Sequence, residues 1–275
     1  MILKYLRELY RAPFDTIKNL FLYRHLLIQM IKREIKGRFA GSMGGLLWNF
    51  IHPVLMLVVY LFVFVYIFKL RVGSAGGSGA SAVYLMAGLF PWIIFAEGLS
   101  RGTSSLIENA VLIQKTSFPI EILTAKAVMT PIISHGIAIL LLTLYKVITV
   151  GSIKIIFILP FLVLLQILFT LGIVSLFAAS SVFFRDVIQL VHIIISFWIY
   201  LTPILYPMSM LPDWGKKIMY LNPFFPLISL YQSMFVDGKL GGLDMLILSL
   251  FWSICFFVIG VFIFNKLKYE FADLL

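Results

Sequence analysis

Charge is scarce in this chain: only 12% of its 275 residues are Asp, Glu, Lys or Arg, while 61% are hydrophobic and the mean hydropathy is +1.04. That leaves too little polar surface to cover a water-soluble globule, so the composition predicts a polytopic membrane protein. Cysteine is nearly absent, and Cys255 alone cannot close an internal disulfide. No G-x-x-x-x-G-K-[ST] run occurs, which excludes a P-loop nucleotide site, and neither G-x-S-x-G nor H-E-x-x-H is present. His25, His52, His135 and His192 lie in four separate segments without metal-ligand spacing, so neither a metal nor a catalytic site is expected. Ionisable residues are rare inside the apolar runs. A mid-membrane charge costs roughly 2.5–3.5 kcal/mol, and ion-coupled carriers keep a few for function, so this scarcity argues against ion coupling. The first 40 residues hold no uninterrupted apolar stretch, so no cleavable signal peptide is expected and the N-terminus is placed in the cytosol.

Acids are the thinner half of the charge, 12 against 22 Lys and Arg, for a net charge of +10. In a membrane protein that excess predicts basic cytosolic flanks ahead of nucleic-acid binding. Residues 1–45 carry much of it, in Lys4, Arg7, Arg11, Lys18, Arg24, Lys32, Arg33, Lys36 and Arg38. Between Asp15 and Lys36, Ile17, Leu20, Phe21, Leu27, Ile28, Ile31 and Ile35 recur at helical spacing, with basic residues mostly between them. This pattern predicts a cytosolic segment holding an amphipathic helix in the membrane interface. Residues 46–275 then read as an all-α domain of six transmembrane helices, near 46–68, 83–99, 127–145, within 155–184, 187–206 and 245–264. The Gly/Ser-rich stretch 71–82 reads as an exposed loop, "FRD" at 184–186 as a tight turn, and 208–244 as short apolar pieces broken by prolines. Arg101, Lys115, Lys126, Arg185, Lys266 and Lys268 join the N-terminal segment on the inner side, outweighing Lys69, Arg71, Lys146, Lys154, Lys216, Lys217 and Lys239 outside. Both termini are therefore expected in the cytosol.

Between the second and third runs lies "EGLSRGTSSLIENAVLIQKTSFP", residues 97–119, polar yet helical in pattern. Ser105 and Glu108 have capping-box spacing, and Leu106, Ile107, Ala110, Val111 and Ile113 form an apolar side. Two readings stand here: a helix resting on headgroups, or a docking helix that receives force from a cytosolic partner. Aromatics are plentiful, with 26 Phe, 12 Tyr and 5 Trp. Tyr60 and Tyr66, with Trp198, Tyr200 and Tyr206, carry polar tips in or near the membrane core, which favours a shared wet cavity whose ring faces could stack on sugars.

"RFAGSMGGLLWNFIHPVLMLVVYLFVFVYIFKLR", "AGLFPWIIFAEGLSRGTSSLIENAVLIQKTSFPIEIL", "FFRDVIQL" and "TPILYPMSMLP…YLNPFFPL" occur in the order seen in ABC-2 type permeases of polysaccharide exporters. The chain resembles that family over about residues 30–240. The resemblance implies a homodimer of six-span subunits in the bacterial cytoplasmic (inner) membrane, joined to two P-loop ATPase subunits that carry ATP and Mg; this chain itself holds no cofactor. Its cargo would be a polyisoprenyl-pyrophosphate-linked polysaccharide: O-antigen first, teichoic acid or capsule next. The same resemblance makes Ser104, Ser105, Glu108 and Asn109 the coupling contact, aided by Arg185 and Asp186, and makes 208–244 a pair of re-entrant helices. Spans one and five would line the glycan path with Tyr60, Tyr66, Trp198, Tyr200 and Tyr206. Arg24, Lys32, Arg33 and Arg38 are candidates to meet the pyrophosphate, or equally the headgroups of anionic lipid. The alternatives are an ABC-2 permease for a drug or small lipid, and an integral membrane glycosyl- or acyltransferase, for which Asp213, Asp237 and Asp244 are too scattered.

Overall fold

The computed structural model describes residues 2–38, 41, 44–48, 51, 54–55, 58–59, 62–67, 69, 78–115, 118–150 and 153–275. Among them there is no strand. The predicted interfacial helix is two helices, α1 (Ile2–Leu22) and α2 (Arg24–Arg38), parted at Tyr23. Ala12 and Thr16 are buried on one side of α1, whereas Phe14, Ile17 and Phe21 remain exposed. A helix with one side in protein and another apolar side bare suits a membrane interface.

The bundle follows as α3 (Ser78–Glu108), α4 (Ala110–Lys115), α5 (Glu121–Val150), α6 (Lys154–Phe183), α7 (Val187–Trp198), α8 (Asp213–Met219), α9 (Phe225–Asp237), α10 (Leu243–Leu267) and α11 (Phe271–Leu274). Among the described residues, four helices are long and apolar enough to cross a bilayer: Gly79–Glu108, Glu121–Thr149, Lys154–Phe183 and Leu243–Leu267. The chain is a multi-pass membrane protein. The first predicted span is described only in pieces, among them the short helical segments Gly45–Leu47 and Phe62–Ile67, and the residues between those pieces lie outside the description.

Three expectations need correction. The second span is not short; α3 runs from Ser78 through Glu108, so residues 78–82 of the expected loop are helical. The fifth run is not one helix over 187–206. Its helix α7 ends at Trp198, about 18 Å at 1.5 Å per residue, and residues 199–206 form turns. Pro203 has no N–H to donate and disfavours helix at Thr202, which accounts for the break. The freed backbone is caught by side chains: Tyr84 donates to the carbonyls of Pro203 (3.0 Å) and Tyr206 (3.1 Å), and Gln232 Nε2 to Pro203 (3.0 Å). Lastly, Ser105 and Glu108 form no capping box, because both lie at the C-terminal end of α3 rather than at a helix start.

The interior is largely aromatic. Phe95 stacks on Phe224 with centroids 4.3 Å apart, and Trp92, Phe169 and Trp198 close around them. A second apolar cluster of Leu106, Ile113, Leu123, Ala179, Val182, Phe264 and Phe271 gathers the ends of α3, α6 and α10 with the start of α5 at one end of the molecule. One polar bridge crosses the core. Gln166 Nε2 donates to the carbonyl of Pro91 at 2.8 Å, and Tyr231 donates its hydroxyl to Gln166 Oε1 at 2.9 Å. Gln166→Leu will orphan the fully buried Tyr231 hydroxyl, at a cost of about 1–3 kcal/mol. Adding Tyr231→Phe removes the orphan, so the double variant should recover much of the lost thermal midpoint. A double variant no better than the single would refute this account.

Candidate functional site

At the end that gathers Glu108 and Glu121, helix α3 carries serine and threonine at 103–105 without unwinding. Their hydroxyls bond back to the turn before: Thr103 to Leu99 (2.7 Å), Ser104 to Arg101 (3.3 Å) and Ser105 to Gly102 (2.7 Å). Ser105 is 3% exposed, its hydroxyl turned into the bundle. Ser104, not Ser105, is the serine that meets Glu108, donating to its Oε1 at 2.6 Å. Asn109 Nδ2 bonds the Ser105 carbonyl (2.8 Å) and closes the helix, after which α4 turns away. Ile113 roots α4 in the cluster with Phe264 and Phe271. Arg101, Glu108, Val111, Gln114 and Lys115 are left exposed.

Arg185 and Asp186 are exposed in the expected tight turn between α6 and α7, with Phe184 beside them. Ser100 Oγ and His192 Nδ1 lie 3.5 Å apart between α3 and α7, which run in opposite directions. About two turns down each helix from that contact brings Arg185 level with Ile107. Arg185 and Asp186 therefore stand near the level at which α3 ends.

The sequence reading missed what lies just above them. Glu97 on α3 hydrogen-bonds His135 Nε2 at 2.7 Å and forms ion pairs with Arg38 Nη2 at 2.7 Å and Arg101 Nε at 2.8 Å. Glu34 on α2 meets Lys126 Nζ at 2.9 Å, with Arg101 at 3.5 Å and Arg38 at 3.6 Å. Two carboxylates and four basic groups therefore lock α2, α3 and α5 together. Side-chain exposures of 14% for Arg38 and 21% for Glu97 put the centre of this network out of bulk water, where such pairs interact strongly. Two of the three helices had a clue, the i,i+4 pairs Glu34–Arg38 on α2 and Glu97–Arg101 on α3. A second staple joins α5, α10 and α1: Lys268 donates to Glu121 (2.8 Å) and Asn265 (2.7 Å), and Asn265 to Thr16 (3.0 Å).

Of the basic residues proposed for a pyrophosphate, Arg24, Lys32 and Arg33 are exposed, while Arg38 is drawn into the network. Of the aromatic set, Tyr60 lies outside the described residues. Tyr66 and Tyr200 are 73% and 65% exposed, free to face a lumen, lipid or a second copy. Trp198 packs against the aromatic interior and donates its N–H to Asn222 Oδ1 at 2.9 Å. Tyr206 donates its hydroxyl to the Tyr200 carbonyl at 2.8 Å. Asp213 stands at the surface beside Lys216 (2.9 Å), whose hydrogen bond and charge hold its carboxyl below the usual range. Among the described residues no three His, Cys, Asp or Glu side chains converge as a metal site.

The family model for the ABC-2 type transporter matches residues 25–236. The O-antigen export system permease protein RfbA of Myxococcus xanthus is 29% identical over 260 residues, covering 94% of this chain and 98% of that protein. A Klebsiella pneumoniae protein of the same description is 31% identical over 259 residues, with coverage of 94% and 97%.

Proposed function

The chain belongs to the ABC-2 type transporter family, and on that basis we propose that it is the membrane subunit of an ATP-driven exporter of a lipid-linked polysaccharide, with O-antigen as the cargo. The observation that carries this reading is similarity of about 30% along nearly the whole chain to permeases named for O-antigen export. The subunit works as a homodimer in the cytoplasmic membrane, with two copies of a separate P-loop ATPase on the inner face. Six spans and cytosolic termini are proposed: the four long helices, the run at 46–68, and α7 with its turns. Helices α8 and α9 are the re-entrant pair at the outer exit. Tyr66 and Tyr200 face the glycan path, joined by Tyr60. Lys32 and Arg33 face the inner headgroup layer, where they can meet a pyrophosphate.

In this mechanism the chain performs no chemistry. Closure of the ATPase pair pushes on the edge formed by Ser104, Glu108, Asn109, Arg185 and Asp186. Because α3 is continuous from Ser78 to Glu108, a push at Glu108 reaches the outer turns held by Tyr84 as a rigid displacement. The network at Glu97 makes α2 and α5 move with it.

Charge reversal at Glu108 tests this. The side chain is exposed, so Glu108→Lys should leave membrane levels unchanged. Against a basic groove on the ATPase, like-charge repulsion can cost several kcal/mol. The expected result is normal abundance with weakened ATPase association and lost surface O-antigen. Wild-type export at wild-type complex yield would return this edge to a passive surface.

A further inference from the structure

Beside the N-terminal helices an apolar groove of about 310 Å³ opens between Leu20 and Leu27 on α1 and α2, Val128 and Met129 on α5, and Ile167 and Leu171 on α6. Among the described residues, Arg24 is its one charged lining residue. We propose that this groove is a binding site for an anionic phospholipid, with one acyl chain in the groove and the phosphate on Arg24.

The lining sets the chemistry of the chain. Water has almost nothing to bond there, and apolar cavities stay dry unless an apolar group fills them. The depth agrees. Val128 and Met129 stand about two turns into α5 from Glu121, and Leu171 about 18 Å along α6 from Phe183. Those rises match the acyl region of one leaflet, half of a core about 30 Å thick.

Arg24 sets the chemistry of the head. It follows the break at Tyr23, where α1 gives way to α2. Its guanidinium lies 4.6 Å over the Phe21 ring, and Nη1 bonds the Phe21 carbonyl at 3.3 Å, which fixes its position at the rim. Arg38, Arg101 and Lys126 are all paired with carboxylates. Among the described residues no carboxylate lies within ion-pair distance of Arg24, so its charge is open to a ligand. Guanidinium matches a phosphate in shape and charge. One cation balances the single negative charge of a phosphodiester, whereas a pyrophosphate would bring more charge than the groove can meet. That difference favours a membrane phospholipid over the isoprenoid carrier. The lipid would cement the interfacial helices to α5 and α6, whatever the exporter's cargo.

Native mass spectrometry of the intact permease–ATPase complex tests the site by binding, independently of export. Phosphatidylglycerol, phosphatidylcholine and undecaprenyl pyrophosphate are each titrated. Wild type should hold one phosphatidylglycerol per chain, about tenfold more tightly than phosphatidylcholine, the order expected for one charge-assisted contact. Arg24→Gln should bring the two phospholipids level, and Leu27→Trp, which fills the groove, should remove both. If Leu27→Trp does not assemble, Leu20→Trp serves in its place. Equal binding of the two phospholipids to wild type, or undiminished phosphatidylglycerol binding by Arg24→Gln, overturns the site. Displacement of phosphatidylglycerol by undecaprenyl pyrophosphate at equal concentration overturns the choice of lipid, because the groove would then belong to the carrier.

Discussion

Glu97→Ala will lower the thermal midpoint of the purified protein by roughly 10 °C and reduce its level in the membrane. The carboxylate holds Arg38, Arg101 and His135 at 2.7 to 2.8 Å. Removing one partner from a buried ion pair costs about 3–5 kcal/mol, because the remaining charges stay out of water without compensation. At 2–4 °C per kcal/mol for a domain of this size, that gives a shift of about 10 °C. Arg101, 44% exposed, can turn to water, so most of the penalty falls on Arg38 and His135. The surface pair of Asp213, 93% exposed, and Lys216 supplies the control: Asp213→Ala should leave the midpoint unchanged. Combining Glu97→Ala with Arg38→Met should recover part of the loss, since the uncompensated guanidinium leaves with its partner. A Glu97→Ala protein as stable as wild type would show that the network carries no load.

That network also marks where sequence reading stopped. Hydropathy locates apolar runs, so the four long helices were legible, and so was the turn at Arg185 and Asp186. It does not report where a helix ends once it leaves lipid. Residues 100–108 are too polar to count as a span, yet their hydroxyls bond their own helix and carry it on to Glu108. Ser105 and Glu108 had the spacing of a helix start, but spacing alone cannot tell a start from an end. The interfacial segment was legible as amphipathic, whereas its break at Tyr23 carries neither proline nor glycine to announce it.

The candidate site divides the same way. Exposure of Glu108, Arg185 and Asp186 follows from their charge and their place between apolar runs. Trp198 and Tyr206 were assigned to a cavity because their polar tips need partners, and that premise holds. The partners within the chain are Asn222 and the Tyr200 carbonyl, brought near by the turns after α7. Glu34, Glu97, Lys126 and His135 come from three helices, and only packing brings their charges to one point.

Packing likewise sets the second large effect: Gly172→Leu will prevent α6 and α10 from docking and leave little monodisperse protein after solubilisation. These two helices form the most extensively packed pair among the described elements. A Cβ on Gly172 would fall on the backbone of Phe256 and Phe257, and one on Gly260 would fall on the carbonyl of Gly172. Backbone cannot swing aside as a side chain can, so the helices must separate. Between membrane helices no hydrophobic force compensates for that separation, because lipid is as apolar as the interface; association rests on close van der Waals contact at small residues. Overpacking a well-packed site costs about 1–3 kcal/mol and occasionally more. Here the obstruction meets backbone on both helices, which puts Gly172→Leu at the upper end and Gly172→Ala below it. Gly136 supplies the contrast, since nothing lies within 4 Å of a Cβ built there. Gly136→Ala should be neutral or slightly stabilising, as alanine is favoured over glycine in a helix by about 1 kcal/mol. Size-exclusion profiles and thermal midpoints of the three variants decide the matter, and a Gly172→Leu protein that elutes and melts like wild type would mean that α6 and α10 do not cross at this point.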